Sequence, residues 1–103
     1  MQDEITYKLL KLIESDTQLS QREIAKKMGV SLGKTNYCLK ALLDKGYIKV
    51  RNFYNNKSKN AYIYFLTPKG IEEKAKVTYR FLQRKVKEYE TIKVEIENLK
   101  NEI

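Results

Sequence analysis

The sequence predicts a mainly α-helical protein that carries one β-hairpin and closes with a single long helix. Three observations carry that prediction. Apolar residues recur at helical spacing from Ile5 to Leu43, interrupted only by two short turn-forming stretches. Two strand-like runs flank a polar loop between Tyr47 and Thr67. After Thr67-Pro68-Lys69-Gly70 no breaker occurs before Ile103.

The first segment, Asp3 to about Ser15, places Ile5, Leu9, Leu12 and Ile13 on one side with Leu10 beside them, an amphipathic helix about three turns long. Ser15-Asp16-Thr17-Gln18 breaks the pattern. Leu19 then precedes Ser20-Gln21-Arg22-Glu23, a capping box in which Ser20 is the N-cap and Glu23 reaches back to it, with Leu19 able to staple across to Ile24. Ile24, Ala25 and Met28 supply the inward face of a short second helix, and Gly29 the left-handed position that ends it. Ser31 caps a third helix running from Leu32 to Lys45. Thr35, Cys38, Leu39, Leu42 and Leu43 lie on one side of it, and Lys34, Asn36, Tyr37 and Lys40 on or near the other. Asp44-Lys45-Gly46 closes it, with lysine at the negative end of the dipole.

Two short helices joined by Met28-Gly29-Val30-Ser31 form a helix-turn-helix pattern, the second with a large apolar face and a basic, polar opposite face. Tyr47 to Tyr54 and Ala61 to Thr67 are rich in β-branched and aromatic residues. The polar hexapeptide Asn55 to Asn60 between them makes a hairpin whose tip carries Lys57 and Lys59. Three helices followed by such a hairpin form a winged helix-turn-helix, with the hairpin beside the third helix. Thr67 is then the N-cap of the last helix, and Pro68 sits where its missing N–H costs nothing.

About 35 residues of uninterrupted helix measure roughly 50 Å, too long to pack along their whole length on so small a core. Leu82, Tyr89, Ile96 and Ile103 recur at seven, with Ile92 and Leu99 between them and Val86 widening the stripe. That is a coiled-coil seam, imperfect because Lys85 holds its earliest d position. It points to a homodimer rather than a solitary helix or one folded back on its own domain. The expected division is a DNA-binding unit over residues 1–70 and a dimerisation helix over 71–103. Residues 74–87 of that helix carry six basic side chains and no acidic one, whereas 88–103 carry five Glu and two Lys. This favours antiparallel pairing only weakly, since exposed pairs contribute little, and both orientations stay open.

Charge narrows the partner. The chain of 103 residues has 21 Lys and Arg against 13 Asp and Glu, a net charge of +8. Residues 34–69 hold eight basic side chains against Asp44 alone, while the segments on either side nearly balance. A one-signed block suggests a polyanion, with an ordinary lysine-rich surface as the bland account. With no His and one Cys, a Cys/His metal site, an intrachain disulfide and a histidine general base are all unavailable. There is no phosphate-binding glycine loop, and Glu72 and Glu73 are merely adjacent, so an enzyme is the weakest rival and no cofactor is expected. A single Cys in a lysine-rich chain suits a reducing cytoplasm. The apolar runs are too short for a membrane span, and the N-terminus does not read as a signal peptide.

The run from Ser31 to Lys49, Ser-Leu-Gly-Lys-Thr-Asn-Tyr-Cys-Leu-Lys-Ala-Leu-Leu-Asp-Lys-Gly-Tyr-Ile-Lys, resembles the recognition helix and start of the wing in MarR-type winged-helix regulators. It is closest to their small branch of EPS-associated transcriptional regulators, linked by name to exopolysaccharide gene clusters. Leu66-Thr67-Pro68-Lys69-Gly70 is similar to the Leu-Thr-x-x-Gly junction after the wing. The resemblance covers about residues 5–75. It implies sequence-specific binding of duplex DNA by a dimer. Larger members add helices that form a dimer interface and sometimes a ligand pocket; without that extra length a small-molecule effector is doubtful here.

In such a protein the third helix enters the major groove, where Ser31, Gly33, Lys34, Asn36, Tyr37 and Lys40 are the candidates for base contact. Asn36 can pair with adenine through two hydrogen bonds, Lys34 can reach guanine O6 and N7, and Gly33 leaves room for close approach. Solvation is the bland account of Asn36, and packing against the first helix that of Tyr37. Ser20 and Arg22 are placed to meet phosphate, and Arg51, Lys57 and Lys59 to serve the wing. A dimer predicts a pseudopalindromic site with half-sites about one helical turn apart. Cys38, on the apolar side, reads as a buried space-filler rather than a redox sensor. The serious alternative is a winged helix that binds RNA, single-stranded DNA or a protein partner. Tyr62 and Tyr64 share a strand face, whose exposure would favour that alternative and whose burial would favour duplex readout.

Overall fold

The computed structural model describes residues 2–16, 18–53 and 61–103. The elements run α1 (Asp3–Ser15), α2 (Gln21–Met28), α3 (Leu32–Asp44), β1 (Ile48–Phe53), β2 (Ala61–Leu66) and α4 (Pro68–Asn101). Three helices, an antiparallel two-stranded hairpin and a long terminal helix make a winged helix-turn-helix, as the sequence predicts.

Local chemistry sets each boundary. Ser20 Oγ accepts from the Glu23 N–H at 3.1 Å and Glu23 Oε1 accepts from the Ser20 N–H at 3.2 Å, so the capping box is closed. Gly29 (φ 69°) and Gly46 (φ 76°) are the only left-handed residues among those described, and each ends a helix by turning the next N–H back. Val30 thereby donates to the Ala25 carbonyl at 3.1 Å, and Tyr47 to that of Leu42 at 3.0 Å. Committing Tyr47 to that turn is why β1 starts at Ile48, one residue later than the side-chain pattern suggests.

The hairpin register sets Ile48 opposite Leu66, Val50 opposite Tyr64 and Arg51 opposite Ile63. Its inner face joins one core made by Leu9, Leu10 and Ile13 of α1, Leu19, Ile24 of α2, Cys38, Leu39 and Leu42 of α3, Ile48 and Tyr64. Each fully buried aliphatic side chain there contributes roughly 1.5–3 kcal/mol.

Between β2 and α4 sits a latch that local sequence patterns do not reveal. Thr67 Oγ1 caps α4 by accepting from the Gly70 N–H at 3.0 Å, and donates its own proton to the Gly46 carbonyl at 2.6 Å. The Thr67 N–H donates to the Tyr47 carbonyl at 3.1 Å. One threonine therefore ties the start of α4 to the end of α3. Gly70 is buried in this junction, where a Cβ would collide with the Tyr47 carbonyl.

The two faces of α4 have different surroundings. Gly70 and Val77 are buried, Phe81 stacks on Tyr7 of α1 with ring centroids 5.1 Å apart, and Arg80 pairs with Asp3 at 3.0 Å. These residues lie on one side of the helix; Arg80 and Phe81 dock α4 on α1, and Gly70 packs on the Tyr47 turn. On the opposite face Ile71, Tyr79 and Leu82 are exposed. The remainder of α4 projects beyond the core, and the molecule measures 64 × 27 × 20 Å.

Candidate nucleic-acid interface

The third helix is held by one face and free along the other. Thr35, Cys38, Leu39 and Leu42 are buried, whereas Ser31, Gly33, Lys34, Asn36, Tyr37 and Lys40 are all exposed. Tyr37 is 72% exposed, so it does not pack against α1. The Ser31 side chain accepts from the Lys34 N–H at 3.1 Å, fixing the helix start and leaving the hydroxyl proton free to donate. Gly33 has no positive φ, and a Cβ there would meet nothing within 4 Å. The fold itself therefore supplies no steric reason for glycine at this position.

Asn36 is not merely solvated. Its Nδ2 donates to Gln21 Oε1 at 3.2 Å, and Gln21 Nε2 donates to the Tyr64 hydroxyl at 3.0 Å. Three elements thus meet beside the exposed face of α3: the first turn of α2, α3 itself and strand β2. Ser20 and the exposed Arg22 stand on either side of Gln21 in that first turn. Tyr64 is 3% exposed, and burial pushes its hydroxyl pKa up, partly offset by the Gln21 amide. It stays a neutral phenol at working pH.

Arg51 lies elsewhere. It is paired with Ile63 on the outward face of the hairpin, and its guanidinium sits 5.9 Å from the Phe65 ring centroid. Lys57 and Lys59 lie outside the described residues. Tyr62 and Tyr64 share a strand face and stack at 6.3 Å; Tyr64 is buried and Tyr62 exposed, so the face is divided between core and surface. Cys38 is buried in the core. Among the described residues no three His, Cys, Asp or Glu side chains cluster as a metal site, and no helix is long and apolar enough to cross a membrane.

Leu82, Val86, Tyr89, Ile92, Ile96 and Leu99 are all exposed along α4; Ile103 is exposed too but lies past the end of the helix at Asn101, so it does not continue the helical seam the sequence suggests. The sequence reading missed Ile71, whose exposed side chain starts the same stripe before the heptads begin. It also missed Gln21, Thr67 and Gly70 as structural contacts. Ile71 was detectable by extending the helical spacing backward from Leu82 through Ala75. The other three act through partners 15 to 43 residues away, which no local pattern encodes.

Residues 2–49 match the family of winged helix-turn-helix DNA-binding domains. No curated protein matches the chain. Among solved structures, the chain is similar to a PadR-like transcriptional regulator from Bacillus cereus, with 15% identity and a TM-score of 0.76 over 85% of this chain and 90% of that one. It is also similar to MarR from E. coli, with 23% identity and a TM-score of 0.57 over 70% of this chain and 52% of that one. FabT of Streptococcus pneumoniae, solved in complex with DNA, shares 22% identity at a TM-score of 0.58 over 93% of this chain and 69% of that one. The chain spans about half the length of MarR. These neighbours are transcriptional regulators, and at such identities the likeness is one of fold. The chain has a winged helix-turn-helix fold, which it shares with these regulators.

Proposed function

We propose that this protein is a sequence-specific regulator that binds double-stranded DNA as a homodimer. The third helix enters the major groove and the hairpin lies on the flanking backbone or minor groove. The observation that carries the reading is the division of α3, with one side built into the core and six small, polar or basic residues exposed on the rest. A rigid helix presenting polar side chains is what base readout requires, because the donors and acceptors must be held against fixed edges.

Each candidate has a role its chemistry permits. Ser31, Lys34 and Asn36 read base edges, Gly33 allows close approach, and Tyr37 and Lys40 extend the contact along the helix. Ser20 and Arg22 meet phosphate at the N-terminus of α2, where the dipole favours anions. Arg51, Lys57 and Lys59 add salt-sensitive affinity that is indifferent to sequence. The one-signed charge of residues 34–69 supports a polyanion partner, and the FabT structure, solved in complex with DNA, supports DNA as that polyanion. Burial of Tyr64 counts against a stacking platform for single strands. Affiliation with the EPS-associated branch rests on the Ser31–Lys49 run alone. Residues 1–70 form the DNA-binding unit in this reading, and 71–103 the pairing helix.

The test is selection of duplex fragments of the host genome under excess non-specific competitor. Recovery of a few fragments sharing an inverted repeat is the expected result. Retention that is uniformly sequence-blind and lost with salt, or preference for RNA or single strands, would overturn it.

A further inference from the structure

We propose that Gln21 is a positioning residue for base readout, holding the Asn36 carboxamide in place and itself held by the buried Tyr64 hydroxyl. The inference rests on the reading of α3 as the base-contacting helix. Its basis is the relay from core to surface: Tyr64 accepts from Gln21 Nε2 at 3.0 Å, and Gln21 Oε1 accepts from Asn36 Nδ2 at 3.2 Å. The inner end cannot drift, because Tyr64 is 3% exposed and packed with Ile24, Leu39 and Ile48 in one core. The outer end is exposed.

Hydrogen-bond capacity makes the arrangement specific. A carboxamide offers two N–H donors and one carbonyl oxygen. Gln21 uses one donor of Asn36; with the N–H that points away from the carboxamide oxygen given to Gln21, the other N–H and the oxygen remain side by side for a base. Adenine presents N7 as acceptor and N6–H as donor, the complement of that remaining pair. An unrestrained asparagine on an exposed helix face would have to give up rotamer freedom on meeting the base, and a restrained one has already done so. Gln21 stands at the first position of α2 and its side chain takes no part in the Ser20–Glu23 capping box. The helix therefore does not need its amide, while the neighbouring Asn36 does.

The relay also gives the hairpin a second role. Tyr64 belongs to β2, so the wing's strand and the recognition helix are joined through Gln21 rather than only through the apolar core.

The experiment uses the full chain and a duplex library with a randomised core of about 20 bp, enough for two half-sites. Base preferences are compared for the wild type, Asn36→Ala, Gln21→Met and Tyr64→Phe, with thermal unfolding of each. Asn36→Ala is expected to abolish preference for an A·T pair at one position in each half-site. Gln21→Met, close in size but unable to relay, is expected to weaken preference at that same position about threefold, the size set by re-immobilising one side chain. Other positions and the unfolding midpoint should stay nearly unchanged. Tyr64→Phe should shift the same position in the same direction, because Gln21 then loses its anchor. If Asn36→Ala abolishes the preference and Gln21→Met leaves it intact, Gln21 has no positioning role though the helix assignment stands. A uniform loss at every position with Gln21→Met marks a merely structural bond and also overturns the inference. If Asn36→Ala alters no position, the Asn36 contact itself is wrong and the inference falls with it.

Discussion

A Cβ placed on Gly70 would meet the Tyr47 carbonyl, whereas one placed on Gly33 would meet nothing within 4 Å. Both glycines are helical, so alanine would normally stabilise either by about 0.5–1 kcal/mol. At Gly70 the collision is with backbone, which cannot swing aside as a side-chain end can, and the Thr67 latch holds that backbone in place. Gly70→Ala is therefore expected to destabilise the fold by about 2 kcal/mol, the cost of overpacking a closed site. Thermal unfolding would show this as a midpoint roughly 8–16 °C lower. Gly33→Ala should do the reverse, raising the midpoint by a few degrees. Under the proposed function it should also weaken duplex binding, because the methyl occupies the space into which the DNA comes. A Gly33→Ala variant that is stabilised yet binds a selected operator as tightly as the wild type would remove the close-approach role from Gly33.

Within α4, the face that recurs through Gly70, Glu73, Val77, Arg80 and Phe81 turns to the protein; Arg80 pairs with Asp3 of α1 and with Glu73 of its own helix, and Phe81 stacks on Tyr7. The Arg80 guanidinium, hydrogen-bonded to the Asp3 carboxylate at 3.0 and 3.2 Å, holds that carboxyl below its ordinary range. A carboxyl depressed on folding contributes stability that is fully present above its unfolded pKa and lost as pH falls through the folded value. Wild type should then unfold at a higher temperature than Arg80→Met near pH 7, with the gap closing as acid protonates the Asp3 carboxylate below the ordinary carboxylate range. The gap should be small, since both side chains are partly solvated. A gap that persists unchanged in acid would mean Arg80 acts through its aliphatic stem instead.

The same element shows what a sequence reveals and what it does not. The start of α4 is legible in Thr67-Pro68, as the start of α2 is in Ser20 to Glu23, because a helix end must satisfy its own backbone groups within a few residues. The buried sides of α1 and α3 are legible for a similar reason, periodicity being local. Which way α4 turns is not. Val77 faces inward and Leu82 outward only because α1 and the Tyr47 turn sit where they do. At the candidate site, the exposed residues of α3 were readable from helical phase, whereas the bond from Asn36 to Gln21 requires knowing that two helices cross there.

At the scale of the whole molecule, the outer part of α4 is exposed, and among the described residues no other element covers it. Its exposed apolar residues run from Ile71 through Leu82, Tyr89 and Ile96 to Leu99, on the side away from α1. In a chain 64 Å long and only 27 × 20 Å across, that stripe lies largely beyond the reach of the core that shelters Leu9 and Leu42. A second copy offers a matching stripe, and the Leu82, Tyr89, Ile92, Ile96 and Leu99 spacing is that of a two-helix seam. Replacing Leu82 and Ile96 together by Glu would place two charges in such a seam while leaving the docked face through Val77 and Phe81 untouched. The expected outcome is a folded monomer by light scattering, with unchanged thermal unfolding of the winged unit. The double variant should bind a selected operator far more weakly, and the slope of log affinity against log salt should fall by roughly half, because only one set of phosphate contacts remains. A wild-type protein that is monomeric at micromolar concentration, or a double variant that stays dimeric, would show that α4 is not the pairing surface. A monomeric variant with undiminished operator affinity would separate dimerisation from DNA binding, and the pseudopalindrome expected of the site would lose its structural basis.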